Sequence, residues 1–302
     1  MTEKTYGIVG LGLMGGSFAR AIRGNILTGP GCKGKILALD RDPEVLRDAL
    51  GEGIIDRAFP PQDAPEMLRS CDVVFLCLYP ARTVDFLKEH RGDFKAPSIV
   101  TDISGVKAAL ARELPGILSP DFDFILGHPM AGGEKEGWAN ASGKIFRGRN
   151  YILMPLPSNT PGDLSFFRGL VAALGFSRIV ETDCAAHDSK IAFTSQLCHV
   201  IACALVDSAE DTGVTSFGGG SFEDLTRIAM INAPLWTELF FTNKAVLLER
   251  IGAFEKSLGA LKAMLVKDER AGLLAWLSQV REKRIDMSRI EIHAANGEKK
   301  SP

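Results

Sequence analysis

His128 is the residue of this chain whose surroundings best suit it for chemistry. It follows the apolar run at residues 124–126 and begins a proline- and glycine-rich segment that extends to Glu134. The run predicts a short buried strand, and α/β proteins bind their ligands beyond the carboxyl ends of strands. An imidazole with an ordinary pKa of about 6.5 accepts a proton near neutral pH. We therefore predict that His128 is a general base.

A glycine-rich signature near the N-terminus predicts a dinucleotide site. The pattern G-x-G-x-x-G is formed by Gly10, Leu11, Gly12, Leu13, Met14 and Gly15. It follows an apolar strand run and opens a helix, which is the context that supports nucleotide binding. Gly10 allows the tight turn, Gly12 lets the backbone approach a pyrophosphate, and Gly15 lets helix and strand pack closely. The helix N-terminus then offers N–H groups to the phosphates. The alternative is a glycine turn without a ligand.

Asp40 ends the second apolar run, where a carboxylate binds the ribose hydroxyls of NAD and repels the 2′-phosphate of NADP. NAD is therefore the predicted cofactor, and NADP stays open because Arg41 follows directly. Tyr79 and Pro80 come after the apolar run 72–78. We expect them to line the cofactor, with packing in an ordinary loop as the alternative. A nucleotide beside a base predicts a dehydrogenase that oxidises an alcohol.

Two further segments carry polar side chains with two interpretations each. Asp102 and Ser104 follow the next strand run, so either one caps the following helix or Ser104 faces cofactor or substrate. Arg227 follows a run of three glycines that ends at Gly220. An arginine there suits a substrate carboxylate, and the alternative is an ion pair with Glu223 one helical turn earlier.

The other histidines have plainer interpretations. His187 begins a long helical segment, where capping or a bond to another domain is favoured over catalysis. His199 lies inside that segment, four residues after Ser195, so the two share a helix face. A satisfied core histidine is the alternative to a site residue there. His90 lies in a charged run and is interpreted as a solvated surface residue. No His or Cys pair has metal-ligand spacing, so no metal is predicted.

The elements that would position these residues fall into two groups. Up to Asp183, strand runs alternate with helical segments, which predicts an α/β fold with a Rossmann-type, doubly wound parallel sheet. From residue 184 the pattern is helical throughout, and it contains more apolar positions than the core of this half alone would bury. We predict a dinucleotide-binding domain at residues 1–183. An all-α domain for substrate binding and homodimerisation is predicted at residues 184–302.

Composition restricts the class of protein. Of 302 residues, 46% are hydrophobic and 24% charged, and the net charge of -2 gives no field that would attract nucleic acid. No apolar run is expected to reach the length of a membrane span, and no signal peptide is recognised. The six cysteines form no CxxC pair and are expected to be reduced thiols. A cytoplasmic enzyme acting on a small molecule is predicted.

Six segments together resemble the prephenate and arogenate dehydrogenase family over about residues 5 to 290. They are GLGLMGGS, TDISGVK, GHPMAGGEKEG, HDSKIAFTSQLCH, GGGSFEDLTRIA and NAPLWTELFFTN, in the family's order. GHPMAGGEKEG and the Thr-Arg-Ile-Ala stretch are the specific ones, since the glycine signature is shared by very many enzymes. The resemblance implies NAD-dependent oxidative decarboxylation of prephenate to 4-hydroxyphenylpyruvate in tyrosine synthesis.

The resemblance also implies roles for individual residues. It makes His128 the catalytic histidine, with His199 in the substrate site and Arg227 as the carboxylate anchor. Gly220 and Trp236 correspond to a loop glycine and a tryptophan of the substrate site.

Two departures from the family pattern stand out. Gly105 replaces a serine that would contact the substrate hydroxyl, a role that Ser104 could take over as a catalytic group. Gln196 and Cys198 replace the first histidine and the proline of Ser-His-Leu-Pro-His, a change that bears on substrate choice.

Several other functions stay open on the sequence. The substrate can be arogenate, or both prephenate and arogenate as in a cyclohexadienyl dehydrogenase. A β-hydroxyacid-type dehydrogenase would use a lysine on the interdomain helix, such as Lys190. A sensor that binds NAD without turnover is the alternative outside enzymes.

Overall fold

The computed structural model describes residues 1–295, so residues 296–302 of the predicted second domain lie outside the described part. One eight-stranded sheet has the order β3-β2-β1-β4-β5-β6-β7-β8. Its strands are β1 (Thr5–Val9), β2 (Lys35–Leu39), β3 (Arg57–Phe59), β4 (Val73–Leu76), β5 (Ser98–Asp102), β6 (Phe122–Pro129), β7 (Asn150–Met154) and β8 (Arg178–Glu181). All neighbouring strands are parallel except β6 and β7, which are antiparallel.

Helices follow most of these strands and make up all regular structure after β8 in the described residues. They are α1 (Leu13–Ala21), α2 (Pro43–Gly51), α3 (Ala64–Leu68), α4 (Pro80–His90), α5 (Ala108–Glu113), α6 (Pro161–Ala173), α7 (Cys184–Ile191), α8 (Leu197–Asp207), α9 (Gly220–Thr226), α10 (Ala233–Thr242), α11 (Lys244–Val266) and α12 (Arg270–Ala295). The predicted Rossmann-type sheet followed by helices is therefore confirmed, except that β7 and β8 run opposite to the other six strands. The short elements β3 and α3, and helix α4, are absent from the prediction.

The sheet is buried on both faces because alternate residues of its strands enter two separate cores. On β4, Val73 and Phe75 pack into one core, and Val74 and Leu76 pack into the other. Both faces of a parallel strand are apolar when helices cover each side of the sheet. This explains why the central strands appear in the sequence as continuous apolar runs rather than alternating ones.

The order of the strands creates a crevice at one edge of the sheet. Chain connections run one way from β1 to β2 and the other way from β4 to β5, so the loops after β1 and β4 diverge. Ligands of doubly wound sheets bind in such a crevice, beyond the carboxyl ends of the strands. Gly10 and Tyr79 begin these two loops, and β6 brings His128 to the same edge.

Helices α7 and α8 are joined by a π-helical turn at Ala192–Gln196 into one helical stretch. That stretch, Cys184–Asp207, is 24 residues long and contains an 18-residue window with a mean hydropathy of 1.4, so by length and composition it could cross a membrane. The expectation that no run reaches this length is therefore wrong. Its polar residues His187, Asp188 and Gln196 are nevertheless buried and bonded to other segments of the folded protein.

The described part of the chain divides into two compact units, Met1–Lys244 and the described residues from Ala245. The first unit contains the sheet and helices α1–α10. The second consists of most of α11 together with α12. The division into domains at residues 183 and 184 stays a prediction about how the chain is organised for function.

His90 corrects one interpretation made from the sequence. It is only 8% exposed, its Nδ1 lies 3.0 Å from Asp93 Oδ2, and its ring packs on Phe86. The charged run around it lies on the outer side of α4, whereas position 90 faces inward. His90 is thus a satisfied core histidine at the end of a helix.

Candidate active site

The glycine-rich loop joins β1 to α1 and leaves room for a ligand at one position. Gly10 has φ +92°, and a Cβ there would lie 2.7 Å from the Cys77 carbonyl oxygen. A Cβ on Gly15 would collide with the Gly10 carbonyl, which explains the close packing of helix on strand. A Cβ on Gly12 would meet no protein atom within 4 Å. No side chain caps α1 at Gly12, so its first N–H groups can bind an anion.

Asp40 lies just beyond β2 with its carboxylate already oriented. Its Oδ2 accepts a hydrogen bond from Leu11 N at 2.6 Å, and its Oδ1 accepts one from Asp42 N at 2.9 Å. The carboxylate is thereby fixed against the glycine-rich loop.

His128, near the end of β6, belongs to a chain of three buried or half-buried polar side chains. Its Nδ1 lies 2.8 Å from Nε2 of His187 on α7. His187 Nδ1 lies 2.7 Å from Asp188 Oδ1. Asp188 in turn accepts from the backbone N–H groups of Lys107 and Ala108, both at 2.8 Å. The α7 residues thus form a relay behind the predicted base.

These contacts assign the protons of both imidazoles. A carboxylate only accepts hydrogen bonds, so Nδ1 of His187 donates to Asp188. In neutral His187, Nε2 is then an acceptor, and Nδ1 of His128 donates to it. Nε2 of His128 therefore carries the lone pair. His128 and Gly105 line the same cavity, and the Nε2 atom of His128 would lie 3.8 Å from a Cβ atom placed on Gly105.

The surroundings of His128 hold its imidazole in the neutral form. Burial lowers its pKa well below the ordinary value, and the nearby ammonium of Lys107 lowers it further. A base that stays unprotonated at neutral pH is ready to accept a proton from substrate.

Ser104 and Gly105 follow β5 and form part of the same cavity wall. Ser104 Oγ is buried and has no hydrogen-bond partner among the described residues. Neither Asp102 nor Ser104 caps α5, so that interpretation is wrong. The helix begins at Ala108, and its first N–H groups are bound by Asp188 instead. Asp102 accepts from Ser104 N at 2.9 Å and from the ammonium of Lys107 at 2.6 Å.

Arg227 faces the loop that follows β6. Its guanidinium forms a close ion pair with Glu134 of the GHPMAGGEKEG segment, not with Glu223. The guanidinium is 55% exposed and Glu134 25% exposed, so the pair lies at the cavity margin. An incoming carboxylate can replace Glu134 as the partner of Arg227.

His199 and Trp236 form a stacked pair on α8 and α10. Their ring centroids are 3.6 Å apart with an interplanar angle of 30°. His199 Nδ1 donates to the Ser195 carbonyl at 2.9 Å, which leaves its Nε2 as an acceptor. Partial burial lowers the pKa of His199. The pair is an apolar, uncharged wall suited to a ring.

One cavity of about 630 Å³ brings most of the predicted site residues together. Its lining includes Gly12, Leu13, Met14, Gly15, Tyr79, Pro80, Ser104, His128, His199, Arg227 and Trp236. Gly10, Leu11 and Asp40 lie behind this lining at the ends of β1 and β2. Gly220 is exposed at the start of α9 and does not reach the cavity. Lys190 is exposed and lies outside the lining as well. Within residues 1–295, no three potential metal-ligating side chains lie together.

Sequence reasoning missed the functional placement of several residues. Of the two interpretations favoured for His187, the cap is wrong because Asp183 caps α7, whereas a bond to the other predicted domain is found, since His187 bonds to His128; what the sequence did not indicate is that this partner is the predicted base. The adjacent His-Asp pair at a helix start was the available signal. Glu134 and Lys107 gave no signal, because their partners come from distant parts of the chain.

We predict that His128 is uncharged at pH 6.5, where a free imidazole is half protonated. Because the unfolded chain binds this proton and the folded chain does not, the contribution of His128 to folding stability falls as pH drops through about 6.5. NMR titration of histidine side chains, assigned with His128→Asn, checks this. A midpoint at or above 6.5, or a proton on Nε2, contradicts the assignment.

Two family models match the chain in order. The nucleotide-binding domain of prephenate dehydrogenase matches residues 18–179, and its dimerization domain matches residues 183–279. Prephenate dehydrogenase of Bacillus subtilis is 26% identical over 290 residues, covering 93% of this chain and 76% of the relative. Cyclohexadienyl dehydrogenase of Zymomonas mobilis is 27% identical over 295 residues, covering 93% and 95%.

Solved structures show the same similarity. Prephenate dehydrogenase from Aquifex aeolicus, in complex with hydroxyphenyl propionate and NAD+, is 30% identical with a TM-score of 0.83, covering 94% of this chain and 98% of that one. Synechocystis arogenate dehydrogenase is 25% identical with a TM-score of 0.76, covering 94% and 99%. The chain therefore belongs to the prephenate dehydrogenase family.

Proposed function

We propose that this protein oxidises prephenate to 4-hydroxyphenylpyruvate with NAD, with loss of carbon dioxide, in tyrosine synthesis. The observation that carries the proposal is the shared cavity. The acceptor nitrogen of His128 opens into the same space as the uncapped start of α1. A base and a dinucleotide cradle facing one cavity are what oxidation of an alcohol requires.

The residues present fit a nicotinamide dinucleotide. Gly12 leaves open space where a pyrophosphate would approach, and the N–H groups of α1 can bind it. Asp40 is oriented to accept hydrogen bonds from the ribose hydroxyls. NAD, when bound, supplies the acceptor for the hydride. The fixed carboxylate favours NAD over NADP.

His128 is proposed to take the proton of the ring hydroxyl. Its Nε2 accepts a hydrogen bond from that hydroxyl, and the proton moves to the imidazole as the carbon is oxidised. The resulting imidazolium donates from Nδ1 to His187, whose own Nδ1–H is held by Asp188. The buried relay keeps the ring in one orientation and one tautomer while its charge changes. Ser104 is the proposed second hydroxyl group near this step.

Arg227 is proposed to anchor a carboxylate of the substrate. The guanidinium already forms an ion pair with a carboxylate, that of Glu134, at the cavity margin. His199 and Trp236 then provide a flat surface for the cyclohexadiene ring. Gly220, assigned to the substrate site by resemblance, is proposed only as a flexible start of α9.

His128→Asn is expected to lower kcat by about 10²–10⁴-fold, because it removes the general base, with a much smaller change in KM. NADH formation is measured spectrophotometrically with prephenate and with arogenate, and with NAD and NADP. An unchanged kcat in the variant contradicts the role of His128. Failure of the wild-type protein with both substrates contradicts the proposed function.

The alternatives differ in this assay. Faster turnover of arogenate would identify an arogenate dehydrogenase, and similar rates a cyclohexadienyl dehydrogenase. A β-hydroxyacid-type enzyme is disfavoured because Lys190 is exposed away from the cavity. A sensor without turnover has no use for a relay that orients an imidazole.

Arg227→Gln is expected to raise KM for prephenate by about ten- to a hundredfold, since a hydrogen bond to a charged group contributes about 1.5–3 kcal/mol. KM for NAD should not change. Arg47→Gln, which removes an exposed arginine on α2, is the matched control. If Arg227→Gln leaves KM for prephenate unchanged, the carboxylate anchor lies elsewhere.

The helical part of the chain is proposed to form a homodimer. Its second family model is a dimerization domain, and several large apolar side chains are exposed there, with Phe217 at 93% and Phe241 at 69%. Sedimentation velocity is expected to show a species of twice the 32.6 kDa chain mass. A monomer at micromolar concentration contradicts this. The six free thiols fit the proposed cytoplasmic location.

A further inference from the structure

Lys107 is a fully buried lysine that the proposed chemistry does not use. Its ammonium donates to Asp102 Oδ2 at 2.6 Å and to the Gly127 carbonyl at 2.5 Å. Both side chains of the Lys107–Asp102 pair are 0% exposed. Burying an ion pair costs desolvation free energy that its attraction often fails to repay. Packing alone would be served as well by two apolar residues, so the pair calls for another explanation.

Lys107 contacts both ends of the relay behind His128. The ammonium of Lys107 donates to the carbonyl of Gly127, the residue directly before His128 on β6. The backbone N–H of Lys107 donates to Asp188 Oδ1, the last acceptor of the relay. One residue between β5 and α5 therefore connects the strand that carries the base to the carboxylate that orients it.

Gly127 packs tightly against a side chain of the neighbouring strand. A Cβ at this position would collide with the ring and hydroxyl of Tyr151 on β7. The missing side chain leaves room for the ring of Tyr151 beside the residue that precedes His128. The ammonium of Lys107 then supplies the polar contact to that carbonyl beside the site.

We propose that Lys107, held by Asp102, is a positioning residue of the base: its ammonium fixes the peptide that carries His128, and its charge faces the imidazole. This inference rests on the proposed role of His128. The positive charge opposes protonation of a nearby imidazole, so the same contact that aims the ring also keeps it neutral.

Charged and titratable side chains face His128 from two directions. The cavity that it lines also includes Glu134, Lys135, Glu136, Arg149, His199 and Arg227. The other groups approach from the elements packed against β6. His187 faces it from α7, with Asp188 beyond, and Lys107 faces it from the β5–α5 connection, paired with Asp102. Cys184 lies near Lys107, and burial raises the pKa of its thiol, so it is uncharged at neutral pH. Burial is the largest cause of the lowered pKa of His128, and the charge of Lys107 lowers that pKa further, whereas Asp102 is not among the groups that act on it. Removal of the lysine charge should therefore raise that pKa.

The double variant Asp102→Asn with Lys107→Met is the central test. It removes both buried charges together, so neither partner is left as an uncompensated ion. An asparagine at 102 can still accept the bond from Ser104 N. We expect the variant to fold and bind NAD normally, as judged by thermal unfolding and NAD titration. Its kcat should fall by about 10²-fold, the cost of misplacing a catalytic group by roughly 1 Å.

The pH dependence separates positioning from a merely structural role. The acid limb of kcat/KM and the NMR titration of His128 should both move to higher pH in the double variant. Lys88→Met, which removes an exposed lysine paired with Glu113, is the control and should change neither. A double variant with wild-type kcat overturns the proposal. A reduced kcat with an unmoved acid limb and unmoved titration also overturns it.

The NMR titration keeps this inference distinguishable from the proposed function. It reports on the imidazole without any substrate. If wild-type protein oxidises neither prephenate nor arogenate, the function fails whatever the titration shows. If wild-type protein is active and His128 titrates identically in both proteins, the function stands and the role of Lys107 fails.

Discussion

The carboxylate of Asp188 is the contact on which the arrangement of the active site depends. Its two oxygens accept three hydrogen bonds, from Lys107 N, Ala108 N and His187 Nδ1, at 2.7–2.8 Å. The first two bonds tie α7 to the β5–α5 connection of the sheet. The third fixes the ring of His187 and, through it, the tautomer of His128. A displaced Asp188 would therefore disturb both the packing of α7 on the sheet and the orientation of the base.

A buried carboxylate is costly, and the surrounding residues offset that cost. Asp188 is 3% exposed, so it depends on donors from the protein in place of water. Further bracing comes from two amide side chains. Asn243 donates to the Asp188 carbonyl at 3.0 Å and to Gln196 Oε1 at 2.8 Å, and Gln196 donates to the Leu239 carbonyl at 2.9 Å. Gln196, which departs from the family's histidine, thus joins α10 to the π-helical turn.

Much of the fold could be predicted from the sequence, because the signals that mark its elements lie within short stretches of the chain. The apolar runs of β1, β4 and β5 are continuous because both faces of the sheet are covered, and the glycine signature sits at a strand–helix junction. The reversed direction of β7 and β8 could not be foreseen, since strand direction depends on where the chain returns and not on composition. Helix α4 was missed because Tyr79 and Pro80 were considered only as a loop beside the cofactor, although proline suits the first turn of a helix.

The predicted site residues mostly line one cavity, yet the contacts that organise them were invisible in sequence. His128 could be recognised from its own neighbours, at the end of a strand. The bond from His128 to His187 spans 59 positions, and the bond from Lys107 to Asp188 spans 81. Such pairings arise from tertiary packing, and a single sequence does not record them. The alternatives for Arg227 show the same limit, because the nearest carboxylate in sequence is not its partner.

A low pKa makes His128 a weaker base, and the structure indicates why that is acceptable here. Brønsted behaviour favours a base whose pKa lies near the working pH, so a buried imidazole loses some driving force for proton transfer. In the proposed reaction, however, the hydroxyl becomes a carbonyl as the carbon loses hydride, and its proton grows more acidic along the way. A weak base then suffices, provided that it is always neutral and correctly aimed. Burial and Lys107 secure the first condition, and the His187–Asp188 relay secures the second.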